Sequence, residues 1–206
     1  MLSYTRRSTG LLAALALAVP GLLFAAGQTY VKQQNLAEMV AEADRIYRGT
    51  VLGVDAGATD INGRSLPTTT FRIRVTELLK GSVDEQKGEV QIAELRVVGS
   101  EKKYLRVEGN MALLNNLPAP PQLRVGEDYL LFTNAPNSYG LSNTIGLAQG
   151  WFSISQQGTD EVCENSLNNL GLFRNMGGNR PAKGAIAYGE LTDLIRAEIA
   201  GAGGQS

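Results

Sequence analysis

Histidine is missing from all 206 residues, and cysteine and tryptophan occur once each. Without histidine the chain cannot assemble a Ser-His-Asp or Cys-His catalytic set, an HExxH zinc hydrolase or the common histidine metal sites. With Cys163 as the only thiol, no intramolecular disulfide can brace the fold, so an apolar core must hold it. A glycine-rich phosphate loop and internal repeats are also missing. So is an excess of either charge: 19 basic residues stand against 20 acidic ones, a formal -1, which argues against nucleic acid as a partner. The 43% hydrophobic content fits one globular domain.

The one long apolar run lies at the start. MLSYTRRSTG places Arg6 and Arg7 before LLAALALAVPGLLFAA, and the run ends in small residues, the pattern of a signal peptide. Pro20 and Gly21 interrupt it, and Leu11 to Ala26 falls short of the roughly 20 residues of a spanning helix, so cleavage near Ala26 or Gly27 is expected rather than an uncleaved anchor. Thr9 and Gly10 stand where a twin-arginine signal carries apolar residues, which favours the general secretory route. Loss of the leader leaves 17 basic and 20 acidic residues, and a periplasmic or secreted location is expected.

The mature chain divides into a polar spacer (27–34), a β-barrel domain (35–174) and a loop with a C-terminal helix (175–206). NLAEMVAEADRIY sets Leu36, Met39, Val40 and Ala43 on one helical face, with Asn35 and Glu38 as a capping box. IYRGTVLGV follows as a strand that Gly49 bends or bulges. Asn62-Gly63 signals a hairpin, and TTFRIRVTE alternates Phe71, Ile73 and Val75 against Arg72, Arg74 and Thr76. That alternation breaks at Leu78 and Leu79. A corner is expected there, with both leucines closing the core, Lys80 solvated and Gly81 supplying the turn. EVQIAEL reads as a strand; the insert beyond it, through Leu123, has no clear pattern and includes KKYLRV, which can pair as a strand, and NNLPAPPQL, which cannot be a central one. Tyr129 to Phe132 suits a strand buried on both faces, and LSNTIGLAQGWFSIS gives two strand segments meeting at Gly150. RNMGGNRPAKG is a loop, and Leu191, Leu194, Ile195 and Ile199 mark a final amphipathic helix. The fold class is mainly β, an OB-like five- to six-stranded barrel with a short N-terminal helix and a C-terminal amphipathic helix.

Residues that carry chemistry are scattered. Asp84, Glu85, Glu89 and Glu94 lie close enough in sequence to serve a glycosidase, but a loop and the wet side of a strand make them solvated surface charge. Ser100 to Lys103 matches SxxK without its SDN and KTG partners. Arg72 and Arg74 share a face that can touch an anion or simply be solvated. Trp151 and Phe152 suit a sugar platform or, for one of them, the core. Cys163, in an acidic loop-like setting, is expected to be unreactive and dispensable. No catalytic residue, metal ligand or cofactor is assigned, and the binding residues are unknown.

NLAEMVAEADRIYRGTV, VTELLKG, VGEDYLLF and GLAQGWFSI together resemble a group of exported bacterial proteins of unassigned function, over about Asn35 to Asn169. That group looks like the OB-type barrel of netrin modules and tissue inhibitors of metalloproteinases. The resemblance implies a binding module that can accompany proteases. The animal inhibitors' Cys-x-Cys start and disulfides are absent here, so their zinc-binding chemistry does not carry over. The expected function is an exported, non-catalytic interaction module, associated with proteases or the cell envelope. It would take a protein or cell-envelope partner, without nucleic acid and without stable membrane insertion once the leader is removed. The alternative is a cell-envelope carbohydrate-active enzyme using paired carboxylates.

Overall fold

The computed structural model describes residues 32–83, 85–87, 90–99, 104–107, 110–113, 120–178 and 180–203. The expected leader, Asp84, Glu89 and the Ser100–Lys103 segment lie outside these residues. Asn35 opens α1 (Leu36–Glu42): its side chain accepts the Glu38 N–H at 2.9 Å, and the Glu38 carboxylate accepts the Asn35 N–H at 2.9 Å. This is the expected capping box, and it satisfies two amide donors that a helix start leaves free. Leu36, Met39 and Val40 are buried, with Ala43 just past the helix.

A long hairpin follows, β1 (Arg45–Ile61) and β2 (Arg64–Lys80). Asn62 and Gly63 both have positive φ, 53° and 74°, which a tight two-residue hairpin turn requires. The register slips at Ile46/Tyr47, Arg48/Gly49 and Val51/Gly53, so β1 carries successive bulges. The break expected at Gly49 is one of them. A Cβ there would stand 2.5 Å from Ile73 Cγ2 and 2.6 Å from the Arg74 carbonyl oxygen.

The remaining elements are β3 (Glu85–Lys87), β4 (Val90–Val98), β5 (Tyr104–Val107), β6 (Asn110–Leu113), β7 (Asp128–Thr133), β8 (Trp151–Gln157), β9 (Asp160–Asn165), β10 (Ile186–Ala187) and α2 (Tyr188–Gly203). Among the described residues eight strands form one antiparallel sheet in the order β10-β9-β8-β7-β1-β2-β4-β3, and β5 and β6 pair with each other in a second. The fold is mainly β. Among the described residues no ladder joins the two ends of the sheet, so the expected closed barrel is not formed by strand pairing. The connection between β7 and β8 does reach β4: Ser142 N–H donates to the Arg96 carbonyl at 2.8 Å. The same segment is tied to β7 by a lone bridge between Thr133 and Thr144.

The sheet buries both faces. On one, Ile46, Leu130, Phe132, Phe152 and Cys163 pack with Leu36 and Met39 of α1 and with Leu191 and Ile195 of α2. On the other, Tyr47, Val51, Phe71, Ile73, Leu95, Tyr129 and Leu131 form a second core. β7 contributes alternately to both, which is why Tyr129 to Phe132 reads as an unbroken apolar run.

Three expectations need correction. Leu78 and Leu79 do not form a corner. β2 runs on to Lys80, and the slip that pairs Ile46 with Lys80 and Tyr47 with Leu78 leaves Leu79 as the extra residue of a bulge. Leu78 is exposed, Leu79 packs on the helix-covered core, and Lys80 is part-buried, its Nζ donating to the Val40 carbonyl of α1 at 2.7 Å. Gly81 does turn the chain, at φ 82°, against the Asp44 carbonyl. LSNTIGLAQG is not a strand but a turn and a short 3-10 helix (Leu147–Gln149), because Gly146 enters the left-handed region at φ 59°. Cys163 lies on β9 in the core rather than in a loop. The end of the polar spacer is stitched down, since the Gln149 amide accepts from Gln34 N–H and donates to the Lys32 carbonyl.

Candidate functional site

The turn that replaces the expected strand builds one wall of an open cleft of about 470 Å³. Val97 and Val98 at the end of β4 and the Pro120-Pro121 strap contribute other walls, with Leu147, Ala148 and Trp151 from the turn and the start of β8. Trp151 is half-buried, its indole edge-on to Tyr129 with ring centroids 6.1 Å apart. Tyr129 is fixed in turn: its hydroxyl donates to Glu127 at 2.7 Å and accepts from Arg124 N–H at 3.1 Å. Burial and the Glu127 carboxylate push that phenol up to about 12.

Leu147 is the unusual member. It sits at φ 55°, a conformation that costs a side-chain-bearing residue about 1 kcal/mol, yet its side chain is 43% exposed at the cleft. Thr144 holds it there, accepting the Leu147 N–H at 3.1 Å and donating its hydroxyl to the Leu147 carbonyl at 2.8 Å. Gly150 is needed behind it, because a Cβ would strike the Ile145 backbone. Asn134 secures the segment further, its side-chain oxygen accepting the Asn143 N–H at 2.5 Å. The result is a leucine in a costly conformation, displayed to solvent beside a tryptophan and two prolines. Such a surface suits the apolar side chains of another molecule.

A second constellation is polar. Arg48 projects from β1, and its guanidinium donates to both Glu161 oxygens at 2.7 and 2.8 Å and to Asp128 at 2.9 Å, while Thr50 donates to Asp128 at 2.6 Å. The guanidinium also lies 4.8 Å from the centre of the Tyr188 ring, whose hydroxyl donates to Glu77 at 2.5 Å. Hydrogen bonding to Glu161 raises the Arg48 pKa, and the same bond lowers that of Glu161. Burial pushes the Asp128 carboxyl up, but hydrogen bonds from Thr50 and Arg48 more than offset it, so it too lies below its ordinary value. Two ionised carboxylates around one arginine make an ion-pair hub joining β1, β7, β9 and α2. A glycosidase would need one of them protonated at neutral pH.

The residues singled out from the sequence do not converge. Glu94 is exposed on β4 and Glu85 lies on β3. Arg72 is 3.4 Å from Asp55 in an exposed ion pair, and Arg74 is exposed. Phe152 is fully buried, which leaves Trp151 alone at the cleft. Burial pushes the Cys163 thiol up to about 12, so it is not a reactive thiolate. Among the described residues no cluster of three or more acids or thiols is placed to hold a metal, and no helix is long and apolar enough to cross a membrane. Sequence reasoning missed Arg48 and Leu147. A signal existed for the first: Arg48 is two residues from Ile46, on a face destined for burial, and so required partners.

The architecture is an antiparallel sheet buried on both faces, with an apolar cleft between the end of β4 and the connection from β7 to β8. No family model and no curated protein matches the chain.

Proposed function

We propose that this chain is an exported, non-catalytic binding module that holds a protein or cell-envelope partner through the cleft beside Trp151. The single observation that carries the reading is Leu147, kept at φ 55° and 43% exposed by bonds to Thr144. A leucine held in that conformation presents its apolar side chain to the cleft beside Trp151. The signal-peptide pattern of residues 1–26 supports a periplasmic or secreted location.

The finer fold reading, an OB-like barrel of the netrin and metalloproteinase-inhibitor kind, belongs to the same proposal. Two features support it: the inner core shared by β1, β2, β4 and β7, and the Ser142–Arg96 bond between the β7–β8 connection and β4. The carbohydrate-enzyme alternative needs a protonated acid facing an ionised one, and the carboxylates gathered at Arg48 are both held ionised.

Affinity capture from the extracytoplasmic fraction, with wild type and Leu147→Asp as paired baits, tests the reading. A partner retained by wild type and lost by a folded Leu147→Asp is expected. Identical capture by both baits would remove the cleft from the proposal.

A further inference from the structure

The outer edge of β1 stands apart from the cleft. β7 pairs with β1 only from Arg45 to Thr50, and Val51 closes that side by exchanging bonds with Gly126 and Glu127. From Gly53 to Ile61 β1 is paired with β2 alone among the described residues. The tight turn makes Ile61 and Arg64 a hydrogen-bonded pair, so the residues alternating from there, Asp60, Ala58, Ala56 and Val54, point their N–H and C=O groups away from β2. Pro67, which has no N–H, pairs with Ala58, in agreement with that phase. The one outward group with a described partner is the Ala58 carbonyl, which accepts from Arg96 at 3.2 Å and keeps a second lone pair.

Natural edges are usually blunted by lysine, proline or a covering element. Between Gly53 and Ile61 there is no lysine, arginine or proline; Val54 is 43% exposed, and the backbone around Ala56 to Ala58 is exposed as well.

We propose that a second copy of this chain covers this edge, pairing β1 antiparallel to β1 about a two-fold axis at Gly57. That centre matches the outward residues to one another, Ala56 with Ala58 and Val54 with Asp60 of the second copy, so every outward N–H and C=O finds a partner. Neighbouring centres push one end past the free stretch. No like charges face each other: Asp55 lies opposite Thr59 and Asp60 opposite Val54 of the second copy. The two copies of Asp55 are about 13 Å apart along the strands, beyond the roughly 8–10 Å over which salt screens exposed charge. Asp55 is also ion-paired with Arg72. Glycine facing glycine at the axis lets the backbones approach closely. The contact is isologous and closes on itself, so it gives a dimer and not a fibre.

Sedimentation of the purified protein over a concentration series should show the mass rising toward twice that of one chain. Ala58→Pro removes an outward N–H and no β1–β2 bond, so it should stay at single-chain mass with its melting temperature within a few degrees of wild type. Gly57→Cys should form a covalent dimer in a glutathione buffer at least about tenfold faster than Thr59→Cys, because paired positions at the axis lie within disulfide range. Wild type remaining at single-chain mass throughout would overturn the proposal and give the edge to an extended segment of another protein. A folded Ala58→Pro that dimerises like wild type would also overturn it, and equal cross-linking at the two cysteine positions would overturn the register.

Discussion

Replacing Arg48 by methionine keeps most of the aliphatic stem and removes the charge on which the polar hub depends. The Arg48 side chain is only 18% exposed and makes two bonds to Glu161 and one to Asp128, all between 2.7 and 2.9 Å. A hydrogen bond to a charged group contributes about 1.5–3 kcal/mol when well buried. Asp128 and Glu161 are 30% and 42% exposed, so water recovers part of their solvation and the whole set is worth about 2–3 kcal/mol. For a domain of this size each kcal/mol moves the melting temperature by roughly 2–4 °C, so Arg48→Met should melt roughly 4–12 °C lower at neutral pH. The pH dependence has a definite sign. Both carboxyls titrate below their ordinary values, so their contribution is complete above the unfolded values, about 3.9 for Asp and 4.3 for Glu, and is lost as pH falls through the folded ones. The gap between wild type and variant should therefore narrow below about pH 4. Calorimetric melts at pH 7 and in the acid range measure both effects. A neutral-pH gap under roughly 2 °C, or one that widens in acid, would refute the hub.

Leu79→Ala should destabilise by about 2–3 kcal/mol and Leu78→Ala by less than about 1, because only Leu79 packs on the core; equal denaturation midpoints would contradict the bulge. Cys163→Ser places a hydroxyl in the apolar core and should cost about 1–3 kcal/mol, read by chemical denaturation, with no loss implying a looser core around β9. Leu147→Gly relieves the left-handed conformation and should leave stability unchanged or raise it by up to about 1 kcal/mol while weakening partner capture; a clear destabilisation would give this leucine a structural role.

Much of the fold was legible in local chemistry. Asn35 with Glu38, Asn62-Gly63 and the α2 leucine and isoleucine spacing each specify structure through bonds within a few residues. Leu78-Leu79 misled because a bulge and a corner both break a period of two, and only the pairing with Ile46 and Tyr47 distinguishes them. Cys163 read as part of a loop because acids surround it in sequence, but Glu164 points to the opposite face and Glu161, on the same face, is taken up by Arg48. The contact of the β7–β8 connection with β4 was not legible, since it depends on Ser142 meeting Arg96 across 46 residues of chain. Neither was the cleft, whose walls come from four separated segments. Its clearest mark, a leucine at positive φ, is a property of backbone geometry that residue type disfavours rather than announces.

Site-specific photo-cross-linking in the native host cell bears most directly on the cleft as a binding surface. A photoreactive residue replaces Leu147 in one variant and Asp193, 79% exposed on α2, in another. The account predicts a discrete cross-linked partner from position 147, suppressed when Trp151 is also changed to alanine, and none of that partner from position 193. The same partner captured equally from both positions, or retained in full at position 147 without Trp151, would contradict it.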